Sequence, residues 1–288
     1  MQRITAVLLG RVGDLVVSTA FLSALRRAHP AARIELVVRP YCLDVARLIP
    51  SVDSVTTPAS LRWLGRRDLF VDLNPSPSRS SALLRLATWA PVKVKADQDS
   101  EREHMLDRYA RLASRLRLPY DGRMELAPPP PAEPLGRRGS LRLLIHPGNF
   151  KKFENRWPED NFKRLNKELA RERGLELFYL AGPGEEAPVK DIAGSLPVLG
   201  PAPIADTAAW MASMDGFICN ITGTTHLAAA LGVPTFGLYS GYTNAVWRPR
   251  GIEHGGVVAK SWESCRGLTV EQVRDAVLPW VWALRPKV

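Results

Sequence analysis

The chain has 288 residues, 45% of them apolar, which suits one large domain or two of ordinary size around a real core. Its formal charge is +10, shared as +6 over residues 1–135 and +4 over 136–288. With no polybasic block and no basic stripe interleaved with aromatics, the charge disfavours a nucleic-acid binder and fits an acidic substrate or an anionic surface. Cys42, Cys219 and Cys265 lie far apart, without metal or disulfide spacing. No signal-like leader and no apolar run of bilayer length is visible, so the expectation is a soluble cytoplasmic protein.

The apolar run from Ile4 to Leu9 predicts a buried strand, and Gly10-Arg11-Val12-Gly13-Asp14 turns it into a helix reaching about Ala28. Strands are predicted from Ile34 to Val38, Val52 to Thr56, Leu69 to Leu73 and Pro91 to Lys95. Helices are predicted from Asp44 to Leu48, Ser80 to Trp89 and His104 to Leu116. In the last of these, Met105, Tyr109, Leu112 and Leu116 recur at helical spacing. Pro128 to Pro131 can continue neither a helix nor a central strand, so a stiff linker over 128–140 separates a domain of residues 1–127 from one of 141–288.

The second half restarts with a strand from Leu141 to Ile145 and a turn at His146-Pro147-Gly148-Asn149. A helix from Pro158 to Arg173 and a strand from Leu175 to Leu180 lead to Gly182-Pro183-Gly184-Glu185-Glu186. Helix Val189 to Gly194, strand Val198-Leu199 and helix Ile204 to Ser213 follow. Phe217-Ile218-Cys219 reads as a strand, Asn220 to His226 as a polar turn, Leu227 to Leu231 as a helix and Thr235 to Tyr239 as a strand. The last helix, Thr269 to Leu284, is expected to be interrupted at Pro279, and to pack on its own domain or back on the first.

Alternating strands and helices in both halves imply two doubly wound, Rossmann-like α/β domains with parallel sheets. Ligands of such sheets sit at the carboxyl ends of the strands, where Gly13-Asp14, Asn149, Gly182 and Gly223 all fall. Gly223 with Thr222, Thr224 and Thr225 at a helix start forms an anion site or an ordinary cap.

These motifs, in this order, resemble those of glycosyltransferase family 9, the heptosyltransferases. The resemblance rests on Arg11-Val12-Gly13-Asp14, Asp72-Leu73-Asn74, Asp107-Arg108-Tyr109 and His146-Pro147-Gly148. It continues with Arg156-Trp157-Pro158, Gly182-Pro183, Thr222-Gly223, His226 to Gly232 and Trp247-Arg248-Pro249. It implies a GT-B architecture, two domains facing across a cleft. It also implies metal-free, inverting transfer of a heptose from an ADP-activated donor to a lipopolysaccharide-core-like acceptor.

By that resemblance Asp14 is the catalytic base; read alone it is better taken as a helix cap. Asn149, Lys151, Lys152, Asn155, Arg156, Gly182, Thr222, Gly223, Thr224, Thr225 and His226 are expected to bind the donor, with Glu185 or Glu186 on its ribose hydroxyls. Arg11, Gly13, Arg62, Arg66 and Arg79 are expected on the acceptor side. The acceptor is an anionic glycolipid or a small molecule, and contact with the inner membrane surface is included. Two residues depart from the family pattern. Ile221 stands where an acid usually precedes Thr-Gly, and Asn155 where a lysine usually precedes Trp-Pro. They leave room for another nucleotide sugar or a non-catalytic nucleotide-sugar binder.

Overall fold

A computed structural model describes residues 2–61, 65–74, 79–96, 102–130, 135–137, 139–148, 156–251 and 253–286. The chain divides into two compact units, Met1–Ala127 and Pro128–Val288. The described parts of 128–140 form neither helix nor strand.

The first unit runs β1 (Arg3–Leu8), α1 (Val12–Ala28), β2 (Arg33–Val38), a 3-10 turn, α2 (Leu43–Ala46), β3 (Ser54–Thr56), β4 (Leu69–Asp72), α3 (Arg79–Ala87), β5 (Val92–Lys95) and α4 (Met105–Arg115). Its sheet has the order β3-β2-β1-β4-β5, every pair parallel. The chain winds outward from β1 on one side, then returns to start β4 on the other. The strand order therefore reverses between β1 and β4, and such a switch point opens a crevice at the carboxyl ends. Strands β1 and β4 are buried along almost their whole length, as continuous apolar runs covered on both faces require. Helix α1 covers the sheet with an unbroken buried run, Leu15 to Leu25. Helix α4 packs beside it through Phe21 and Tyr109, and the Tyr109 hydroxyl donates to the Leu73 carbonyl at 3.1 Å.

The second unit runs β6 (Leu141–His146), α5 (Glu159–Leu169), β7 (Leu175–Leu180), α6 (Glu186–Ala193), β8 (Val198–Leu199), α7 (Ile204–Ala212) and β9 (Gly216–Asn220). It ends with α8 (Gly223–Ala230), β10 (Thr235–Tyr239), α9 (Gly241–Trp247), β11 (Gly255–Val258) and α10 (Val270–Ala283). Its parallel sheet has the order β11-β10-β9-β6-β7-β8, the same winding as the first with one strand more. Here the order reverses between β6 and β9. Trp157 is fully buried in this core, edge-on to Phe162 at 4.8 Å, and its indole N–H donates to the Leu268 carbonyl at 2.8 Å.

Several boundaries differ from the sequence reading. Helix α8 starts at Gly223, four residues earlier than expected, because Thr222 caps it and Thr225 closes a capping box. The threonines thus lie in or beside the helical first turn. Helix α10 runs through Pro279 without a break. Its apolar stripe Val273, Val277 and Val281 is fully buried, and packing on α5, β10 and β11 outweighs the one backbone bond that proline removes. Trp280 packs on Phe236 at 5.3 Å, whereas Trp282 is exposed. Helix α9 and strand β11 have no counterpart in the sequence reading, since Gly255-Gly256 and a seven-residue polar helix carry little periodic signal. No helix among the described residues is long and apolar enough to cross a membrane.

Candidate functional site

At the first switch point, β1 leads into Leu9-Gly10 and α1 begins beside it. The Asp14 carboxylate accepts the Arg11 backbone N–H at 2.8 Å, which folds it back over the turn. Gly10 makes room for this: a Cβ there would lie 2.7 Å from Asp14 Oδ2. The close approach therefore belongs to Gly10, and Gly13, the glycine singled out by sequence, lies inside the helix.

From β4, Asn74 accepts the Leu9 N–H at 2.6 Å and donates to Asp72 at 2.6 Å. The Tyr41 hydroxyl donates to the Gly10 carbonyl at 3.1 Å, and Arg39 donates to that of Leu9. Burial pushes the Asp14 pKa above the ordinary carboxylate value, while the Arg11 N–H and the charges of Arg11 and Arg108 pull against it. A half-buried carboxyl with a raised pKa is the group that general-base chemistry needs near neutral pH.

The other expected acceptor-side residues scatter. Arg11 is exposed at the start of α1 and Arg79 is exposed at the start of α3. Arg66 precedes β4 at the amino end of the sheet, the opposite end from Asp14, with its guanidinium 4.8 Å from the centre of the Trp89 ring. Six strand residues separate those two ends, about 20 Å. Its neighbour Arg67 is buried and paired with Glu35 at 2.9 Å and Thr5 at 2.8 Å. Arg62 lies outside the described residues.

At the second switch point, three loops meet in one hydrogen-bonded chain. The Glu185 carboxylate accepts the Gly182 N–H at 2.9 Å and faces His146 Nε2 at 3.1 Å. On the other side of the ring, His146 Nδ1 lies 2.9 Å from the Thr224 hydroxyl, which is 2.7 Å from that of Thr222. The directions follow from the chemistry. An ionised carboxylate only accepts, so in a neutral imidazole Nε2 carries the proton and Nδ1 accepts from Thr224. Thr224, having spent its proton, accepts from Thr222, whose oxygen already takes the Thr224 N–H at 3.3 Å.

Thr225 is fully buried, accepts the Thr222 N–H at 3.1 Å and lies 3.3 Å from Cys219 Sγ. The three threonine hydroxyls are thus committed to shaping the helix start. What α8 presents to an anion is its backbone N–H groups and the positive end of its dipole. Two glycines keep the chain of bonds compact. A Cβ at Gly148 would lie 2.3 Å from the His146 ring, and one at Gly182 would lie 2.9 Å from the Glu185 carboxylate.

Asn220, at the end of β9, ties this corner together. It accepts the Trp157 N–H at 3.0 Å and donates to the Pro147 carbonyl at 3.0 Å. In the sequence Asn220 reads only as the start of a polar turn, and Arg108 only as part of Asp107-Arg108-Tyr109, with no sign of its field on Asp14. Both follow apolar or charged positions whose direction only the fold sets.

His226 is buried and tilted against Trp247 at 5.7 Å. Arg156 is buried and ion-paired with Glu159 at 2.7 Å. Glu186 is half-buried in the first turn of α6. Asn149, Lys151, Lys152 and Asn155 lie outside the described residues. Among the described residues, no three of His, Cys, Asp and Glu are grouped so as to hold a metal ion.

Residues 79–269 match the model of glycosyltransferase family 9 (heptosyltransferase), about two thirds of the chain. The chain belongs to that family. This glycosyltransferase is similar in fold to several solved structures. With the family 9 glycosyl transferase of Veillonella parvula it shares 18% identity and a TM-score of 0.81, covering 98% of this chain and 97% of that one. With the Escherichia coli heptosyltransferase WaaC, solved with ADP, the identity is 17% and the TM-score 0.80, over 97% and 100% of the two chains. With the E. coli ADP-heptose lipopolysaccharide heptosyltransferase II the values are 17% and 0.76, over 98% and 99%. A search of curated protein sequences finds no match. Two parallel-sheet α/β units of this kind are the GT-B fold, as the sequence motifs led one to expect.

Proposed function

We propose that this glycosyltransferase moves a heptose, or a closely similar sugar, from an ADP-activated donor to a hydroxyl of an anionic glycolipid resembling a lipopolysaccharide core. The similar structures solved with ADP and named for ADP-heptose support the donor. Asp14 takes the proton of the acceptor hydroxyl as its oxygen attacks the anomeric carbon. The carbon–oxygen bond to the diphosphate breaks with its electron pair, and a single displacement inverts the centre. The α8 N–H groups, with Lys151 and Lys152, meet the charge growing on the departing ADP, which makes the transfer metal-independent. Glu186 faces the ribose hydroxyls, with Glu185 sharing that role or bracing His146. Arg11 and Arg79 attract the acceptor's phosphate groups. The reaction takes place at the cytoplasmic face of a membrane, where such an acceptor lies.

The observation that carries this reading is Asp14: a half-buried carboxylate, raised in pKa, at the carboxyl end of the central strand of the first unit. The test is a screen of the purified protein and of Asp14→Ala against ADP-, UDP- and GDP-sugars for binding, hydrolysis and transfer. Binding of the ADP-sugar by both proteins, with turnover only in the wild type and unaffected by EDTA, is the expected result. Turnover lost to EDTA would remove the metal-free step, and absence of nucleotide-sugar binding would remove the whole reading.

One observation favours a second reading. Ile221 is half-buried immediately before the α8 cap, where the family's usual acid would touch the donor. With Asn155 it fits a different donor sugar, or a protein that holds a nucleotide sugar without transferring it. Donor binding with no turnover on any acceptor in either protein would favour the non-catalytic form.

A further inference from the structure

The outward face of α3 is unlike the rest of the surface. Leu83 and Leu86 are 66% and 76% exposed, Trp89 just beyond the helix is 58% exposed, and Val92 at the start of β5 is 45% exposed. Leu83, Leu86 and Trp89 fall three residues apart and so line one side, while Ser81, Leu84 and Thr88 turn inward. A run of large apolar side chains left in water in this way marks an interaction surface.

Its borders are cationic. Arg79, Arg85 and Lys93 are exposed, and the Arg66 guanidinium lies over the Trp89 ring. No Asp or Glu occurs between Asp72 and Asp97. The patch is also held in place: Lys93 Nζ donates to the Arg85 carbonyl at 2.7 Å, and the Arg67 N–H donates to the Trp89 carbonyl at 2.9 Å.

We propose that this face, Leu83, Leu86, Trp89 and Val92 with Arg66, Arg85 and Lys93, seats the first unit on an anionic lipid bilayer. Charge complementarity decides the occupant. A second copy docked face to face would set cations against cations with no acid from this stretch to pair them. An anionic bilayer satisfies both halves of the pattern, since the leucines enter the acyl boundary, tryptophan sits at headgroup level and the cations meet lipid phosphates. The surface rests on the glycolipid-acceptor reading for its purpose, but its test needs no acceptor.

The test is co-sedimentation of the full chain with vesicles of phosphatidylcholine alone or mixed with phosphatidylglycerol. Wild type should bind the mixed vesicles, bind phosphatidylcholine weakly, and lose binding as salt rises. Arg85→Ser with Lys93→Ser should weaken the partition about 30-fold. Leu83→Ser, Leu86→Ser and Trp89→Ser together should abolish it with only a small fall in the thermal midpoint, since all three side chains are more than half exposed. Equal binding by the triple variant, or no wild-type binding to mixed vesicles, would overturn the proposal. So would a concentration-dependent dimer of the wild type that the triple variant cannot form. ADP titration run alongside keeps the two readings apart. ADP binding without vesicle binding overturns only the surface, and vesicle binding without ADP binding supports the surface and overturns the transferase reading.

Discussion

Replacing Glu185 and His146 by alanine, singly and together, tests whether Glu185 acts on the donor site through the histidine. Glu185 Oε2 holds two donors, the Gly182 N–H at 2.9 Å and His146 Nε2 at 3.1 Å. Hydrogen bonds to a charged group contribute about 1.5–3 kcal/mol each. The Glu185 side chain is 20% exposed, so water takes over part of the lost role and the low end applies. Glu185→Ala should therefore cost about 2 kcal/mol, of which about 1–1.5 kcal/mol runs through His146. His146→Ala removes the bridge to Thr224 and frees that hydroxyl to turn away from the helix start. The assay is the ADP dissociation constant by calorimetry for wild type, both single variants and the double variant, with thermal midpoints measured on the same samples. Glu185→Ala should weaken ADP binding about 30-fold and His146→Ala about tenfold, and the double variant should be little worse than Glu185→Ala, a coupling of about 1 kcal/mol. Single-variant losses that add to within about 0.4 kcal/mol in the double would refute the argument, because independent contributions add.

Three further outcomes follow from the first unit. Asp14→Asn keeps the acceptor for the Arg11 N–H but cannot take a proton, so turnover should fall about 10²–10⁴-fold with ADP binding unchanged. Its stability effect has a definite sign. Because burial raises the folded pKa, the protonated carboxyl favours folding; that contribution is complete below the unfolded pKa and lost as pH rises through the folded one. The variant should thus melt at or above wild type at neutral pH and converge with it in acid, and a lower midpoint at pH 7 would contradict the burial argument. Gly10→Ala would bring a Cβ within 2.9 Å of the Asp14 Cβ, which cannot swing away as a side-chain tip could. Steady-state kinetics should show kcat reduced with the donor KM unchanged. Glu35→Ala leaves the Arg67 charge buried without its carboxylate, so a urea midpoint should report a loss of about 3 kcal/mol.

Much of this molecule is legible in the order of its residues. Apolar runs such as Ile4–Leu8 and Phe217–Cys219 have no solvent face, and a strand buried on both sides admits no polar alternation. Repeated strand-turn-helix units then leave parallel doubly wound sheets as the economical solution, and Gly10 to Asp14 and Thr222 to His226 fall at strand ends by counting alone. The boundary at Pro128 is legible for the same kind of local reason, since consecutive prolines lack the N–H groups that helices and sheets use.

Tertiary structure decided what those residues do. Sequence set three threonine hydroxyls at a helix start, and folding points one at His146, uses one to relay that bond and buries the third. Arg66 and Arg67 are neighbours in a basic loop, yet one stacks on an indole at the far end of the sheet from Asp14 and the other is buried against Glu35. Pro279 reads as a helix break, but the buried valines of α10 hold the helix through it. Ser80 to Trp89 reads only as a helix, and it is the packing of α3 through Ser81 and Leu84 that leaves Leu83 and Leu86 in water. The division has one physical cause. Periodicity and backbone chemistry act over a few residues and fix the elements, whereas hydrogen-bond direction, charge pairing and exposure depend on groups tens of residues away, which only the folded chain brings together.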